Sequence, residues 1–117
     1  MSTNKQKEVA GFLIQFKDII DINGLYVAPR RKNNEALIEL GLTKKQRKEI
    51  IMSLTPGNFC SGPEPDRDQP GELWFFGKTD DTIEIYIKLK IAVVGGDKIA
   101  KCISFHKAEY GLNYYNY

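Results

Sequence analysis

The sequence predicts an α+β fold in which N-terminal helices pack on one face of a small antiparallel β-sheet. Three observations carry that reading. Apolar residues recur at helical spacing in the first half of the chain, and strictly alternate in the second. Between the halves lies a stretch rich in proline and glycine, NFCSGPEPDRDQPGE, with three Pro and two Gly. At 117 residues the chain suits a single domain, with helices over about 5–54, an irregular ordered loop over 55–71, a sheet over 72–107 and a tail over 108–117.

Residues 5–21, KQKEVAGFLIQFKDIID, set Val9, Phe12, Leu13, Phe16 and Ile19 or Ile20 on one helical stripe. Gly11 weakens this helix by about 1 kcal/mol relative to alanine. The segment NGLYVAPRRKN interrupts the pattern with Asn-Gly and Pro. A short second helix, NEALIELG, turns Ala36, Leu37 and Leu40 inward and stops at Gly41. Thr43 opens a third helix, with Gln46 at the capping-box spacing that lets each side chain reach the other's backbone N–H. Ile50, Ile51 and Leu54 form its apolar face, and Thr55-Pro56-Gly57 ends it.

ELWFFGK reads as a bulky apolar strand. In TIEIYIKLKIAVV, Ile83, Ile85, Ile87, Leu89 and Ile91 share one face, with Glu84, Tyr86, Lys88 and Lys90 on the other. After Gly-Gly-Asp, Ile99, Ile103 and Phe105 alternate with Ala100, Cys102, Ser104 and His106. A hairpin centred on Gly96 matches the apolar sets, opposing Ile87 to Phe105 and Leu89 to Ile103. On the other face it opposes Tyr86 to His106 and Lys88 to Ser104. A slip of one residue would carry His106 beneath the helices, so the core pattern selects this register.

Net charge is only +2, so any attraction for a polyanion must arise from local clustering. Two cysteines, Cys60 and Cys102, and one histidine form no zinc-ligand pattern, and no cofactor is expected. The N-terminus lacks the apolar stretch of a signal peptide, and no apolar run approaches the ~20 residues that cross a bilayer. The expectation is a soluble, cytoplasmic protein with no membrane partner.

A face bearing Tyr86, Lys88, Lys90 and His106 suits phosphodiester chemistry. Cations attract the phosphate and neutralise its developing charge, and imidazole passes protons near neutral pH. RNA brings its own nucleophile, the 2′-hydroxyl, so cleavage requires only proton transfer and charge stabilisation. The same lysines also fit a solvated or guarded strand, and a single histidine at a strand end also fits a structural role. Trp74 either stacks an unpaired base or belongs to the core, and the four tail tyrosines are further stacking candidates. Lys44, Lys45, Arg47 and Lys48 cluster on the third helix, where they suit RNA, a ribosome, an acidic protein segment, or plain solvation.

The order LGLT, SLTPGNF, GPEPDRDQPGELWFFGK, EIYIKLKI, KCISFH resembles the MqsR-type toxins of bacterial type II toxin–antitoxin systems over about residues 10–107. More closely, it looks like the branch with a GPEPDRDxPGExWxFG loop and a terminal SFH. The resemblance implies a RelE-like fold and a metal-independent endoribonuclease that cleaves mRNA, silenced by a cognate antitoxin, with ribosome dependence open. It implies that Tyr86 is the active-site tyrosine and that His106 stands where other members carry a lysine after SF. The lysine those members carry after a DFY-like turn falls near Ser61, and a glutamine beside the tryptophan falls at Phe75. Arg67 is the candidate replacement for the missing cation. The expected catalytic set is His106, Tyr86, Arg67 and Lys88, with Lys90, Trp74, Ser104 and Lys107 contacting RNA. The alternatives are a non-catalytic RNA-binding module and a regulatory protein-interaction domain. A small-molecule enzyme ranks lower, since no Gly-rich phosphate loop is present.

Overall fold

The computed structural model describes residues 3–117. Three helices, α1 (Asn4–Asn23), α2 (Arg31–Leu40) and α3 (Lys44–Met52), pack against a mixed five-stranded sheet in an α+β fold. Its strands are β1 (Leu25–Val27), β2 (Phe59–Pro65), β3 (Glu72–Asp80), β4 (Ile83–Val94) and β5 (Asp97–Lys107), in the spatial order β1-β5-β4-β3-β2.

The helices form where the apolar stripes and caps require them. Thr3 caps α1 by accepting from the Gln6 N–H at 3.0 Å, and Val9, Phe12, Leu13, Phe16, Ile19 and Ile20 are all buried. Gly41, in left-handed backbone at φ 67°, ends α2. Thr43 and Gln46 make the reciprocal capping box of α3 as expected.

Two elements depart from the sequence reading. The expected connector NGLYVAP contains β1, which pairs in parallel with β5 through Leu25↔Ala100 to Val27↔Cys102, so the sheet is mixed rather than antiparallel. Three residues are too few to show a period, and this pairing is non-local. The expected loop at 55–71 contains β2, an edge strand with two register irregularities against β3. Prolines are tolerated at such an edge, which is why the composition reads as loop. Gly62, at φ 118°, is obligatory there, since an added Cβ would stand 2.8 Å from the Leu73 carbonyl oxygen.

The β4–β5 register is as expected for Tyr86↔His106, Ile87↔Phe105 and Lys88↔Ser104, but Leu89 opposes Cys102 rather than Ile103. The Gly95-Gly96 turn, with φ of 57° and 84°, places Val94 opposite Asp97. That turn sets a register one residue away from the one the Ile87–Phe105 packing needs. A bulge at Lys88/Leu89 absorbs the difference. Ala100 and Cys102 therefore enter the core, and Ile99 and Ile103 are only half-buried.

The core is aromatic where α1 meets β3. Phe12 stacks on Trp74 at 4.3 Å and 13°, and Phe59 meets Phe76 edge-on at 5.6 Å. Trp74 is 8% exposed, so of its two expected roles the core has it, and its ring cannot also stack an RNA base.

Beyond Cys102, among the described residues, no strand lies beside the outer edge of β5, and α2 closes it. The buried Asn33 amide donates to Ile103 O at 2.9 Å and Ala28 O at 3.0 Å, while its oxygen accepts from Phe105 N at 2.9 Å. One side chain thus substitutes for a strand and anchors α2 at the level of His106. The tail folds back across the sheet. Glu84 accepts from Leu112 N and from the Tyr114 hydroxyl, both at 2.9 Å, and Tyr115 N donates to Phe59 O at 2.9 Å.

Candidate functional site

On the face of the sheet away from the core, β4 and β5 hold Tyr86 beside His106, their rings 5.4 Å apart. Phe75 of β3 follows at 6.3 Å from Tyr86, and the Lys88 ammonium lies 5.6 Å over the Phe75 ring. The result is a row of aromatic and cationic side chains across three strands. Alternation in each strand and the bulge-corrected register produce it.

A cleft of about 410 Å³ opens over this row, between α2 and the tail. Arg30, Tyr86, Lys88 and His106 line it, with Tyr110 of the tail at its rim, 83% exposed. A second hollow of about 420 Å³ shares Arg30 and Lys88 and extends to Arg67 and Lys101. Together they make one groove with His106 at one end and Arg67 at the other. Lys32 and Glu109 form an ion pair joining α2 to the tail beside His106.

The His106 Nδ1 is 3.0 Å from the Lys107 carbonyl oxygen. A carbonyl only accepts, so Nδ1 carries the hydrogen and, in neutral imidazole, Nε2 presents its lone pair. Burial, and then Glu64 and Cys60, push the Tyr86 phenol above its ordinary pKa, so it remains a hydrogen-bond donor. Burial and then Arg30 lower the Lys88 ammonium, against the opposing pull of Asp66 and Glu64. Lys88 consequently releases a proton more readily than a solvated lysine.

The other expected site residues are more dispersed. Lys90, expected on the open face, is 3% exposed, and its Nζ donates to Asp66 Oδ2 at 2.6 Å. The 66–71 loop lies over it, and its ammonium is committed to Asp66, which leaves no free face for the expected RNA contact. Ser104 is buried at 4% beneath the cleft, which leaves little of it for a ligand. Lys107 is exposed but faces the α2 side of His106 with Glu35 and Glu39. Arg67 is exposed and lines the far hollow rather than the one holding His106. Asp66 orders its loop, accepting from Asp68 N at 2.9 Å and Gln69 N at 3.3 Å through Oδ1. Among the described residues no group of three or more His, Cys, Asp and Glu could hold a metal ion. Both thiols are free, and burial pushes Cys60 up to about 11 and Cys102 up to about 12, so neither is an activated nucleophile.

Arg30 is the cation the sequence reading missed. Its signal was the basic run PRRK ahead of α2, but only the docking of α2 through Asn33 carries that run to the cleft. No family model matches the chain, and the searches of curated proteins and of solved structures return no match to it. Among the described residues no helix is long and apolar enough to cross a membrane.

Proposed function

We propose that the protein is a metal-independent endoribonuclease that cleaves mRNA, the toxin of a type II toxin–antitoxin pair restrained by a cognate antitoxin protein. The observation that carries the chemistry is the Tyr86–His106 pair, rings 5.4 Å apart, in one cleft with Lys88 and Arg30. The toxin assignment rests on the resemblance of the GPEPDRDQPGELWFFG, EIYIKLKI and SFH motifs to MqsR-type toxins.

In the reaction, Nε2 of neutral His106 takes the proton from an RNA 2′-hydroxyl as its oxygen attacks the adjacent phosphorus. The bond to the 5′-oxygen breaks, and that oxygen takes a proton from the Lys88 ammonium. The products are a 2′,3′-cyclic phosphate and a 5′-hydroxyl end. Tyr86 donates a hydrogen bond to a non-bridging phosphate oxygen, and Arg30 neutralises the charge that grows there. Arg67, at the far end of the groove, holds a neighbouring phosphate.

The test is incubation of wild type and His106→Ala with a long single-stranded RNA in EDTA, mapping the fragment ends. Cleavage to cyclic-phosphate ends by wild type alone is expected, with ribosomes added if naked RNA is resistant. Equal cleavage by both proteins, or none under either condition, rejects the mechanism.

A further inference from the structure

Apart from the cleft and sharing no lining residue with it, a groove of about 380 Å³ runs between β1 and α3 at the margin of the sheet. Leu25, Val27, Lys44, Lys45, Arg47 and Lys48 line it. Arg47 is 7% exposed, and its Nε is a fully buried donor with no hydrogen-bond partner, alone in this among buried side-chain nitrogens and oxygens of the described residues. A buried unpaired donor is unfavourable in the free protein, and the small exposed remainder of the Arg47 side chain lines the groove, where an anion can meet its charge. The lysines around it supply three further positive charges and no aromatic surface. β1 is also the outermost strand on this side, and among the described residues no strand pairs with its outer edge.

We propose that this groove docks an extended acidic segment of a protein partner, which adds as a strand alongside β1. Its main chain pairs with the free edge, small apolar side chains rest on Leu25 and Val27, and carboxylates reach Arg47, Lys44 and Lys48. RNA is the poorer fit. A nucleic-acid backbone cannot match the amide spacing of a strand edge, and the groove offers no ring on which a base could stack. The inference rests on the groove's own chemistry and is independent of the cleavage reaction.

The probe is a fluorescein-labelled hexapeptide of alternating Glu and Val, titrated with the full chain and followed by anisotropy. A Lys-Val counterpart and an N-methylated Glu-Val peptide are the controls. The acidic peptide is expected to bind at least tenfold more tightly than either control. Arg47→Met and the Lys44→Glu, Lys48→Glu pair should each weaken it at least tenfold, while RNA cleavage by the paired variant is unchanged. Arg47→Met should also melt at or above the wild-type temperature, because it removes a buried Nε donor that has no partner, whereas a merely structural arginine would lower it. Absence of binding, equal binding of the lysine or N-methylated peptide, or indifference to the substitutions overturns the proposal. So does a single-stranded RNA that loses affinity for the paired variant when the peptide does not.

Discussion

The Lys90 ammonium and the Asp66 carboxylate meet at 2.6 Å, with the lysine side chain 4% exposed and the aspartate side chain 16%. Lys90, which the sequence offers as part of an RNA-binding surface, is instead bonded to Asp66. The pair ties the 66–71 loop to β4 and thereby fixes where Arg67 enters the groove. The hydrogen bond from Lys90, then that from Asp68 N, lower the Asp66 pKa from 3.8 to about 2.

That depression has a definite sign. A carboxyl group whose pKa is lower in the folded than in the unfolded chain contributes stability above the unfolded value and loses it as pH falls through the folded one. Asp66 should therefore stabilise the fold fully above pH 3.8 and cease to do so near pH 2. Asp66→Asn keeps the loop-capping oxygen but leaves Lys90 without its counter-ion. Its melting temperature should lie below wild type at pH 6, and the gap should close by pH 2. A gap independent of pH would show that the ion pair is not its cause.

Asn33 should matter more than any charged residue of α2. Asn33→Ala strands Phe105 N and Ile103 O at a buried strand edge, a loss of about 2–4 kcal/mol on urea denaturation. Cleavage should fall further than stability alone explains, because α2 delivers Arg30 to the cleft. Full activity in a folded Asn33→Ala protein would argue against that coupling.

Trp74→Ala should cost about 3–5 kcal/mol through the cavity it leaves beside Phe12. Trp74→Phe, which preserves the aromatic stack, should cleave RNA at close to the wild-type rate. A folded Trp74→Phe protein with tenfold weaker RNA binding would return the ring to the substrate.

The two arginines of the groove should separate kinetically. Arg30→Ala, beside Lys88, should lower kcat by about 100-fold, in the range seen when one stabilising donor is removed. Arg67→Ala should chiefly raise KM. Alkaline loss of activity should begin below pH 10.5, the ordinary lysine value, because the Lys88 ammonium is lowered by burial and by Arg30. Wild-type and Lys88→Arg pH profiles that coincide at the alkaline limb would remove Lys88 from the proton path.

Gly77→Ala tests the tail. An added Cβ would stand 2.6 Å from Leu112 Cδ1 and 2.7 Å from the Tyr114 hydroxyl oxygen, so the tail must shift. Faster amide exchange at Tyr115, whose N–H bonds Phe59 O, is the expected readout. Unchanged exchange would mean that the tail is held by Tyr117 and Pro56 rather than at Gly77.

The sequence by itself determined whatever repeats locally. The stripe from Val9 to Ile20 and the Thr43–Gln46 cap follow from spacings that neighbouring residues set, and the opposition of Tyr86 to His106 from matching the apolar faces of the two strands. The tertiary structure alone decided the parallel β1, the strand within the proline-rich stretch, and the bulge that sends Cys102 rather than Ile103 into the core. Each of those depends on pairing between distant segments, which leaves no period in the sequence. The site divides the same way. Three of its side chains, Tyr86, Lys88 and His106, were legible because the alternation along one hairpin puts them on one face. Arg30 was not, because it reaches the cleft only through an asparagine that completes the edge of a strand 70 residues away.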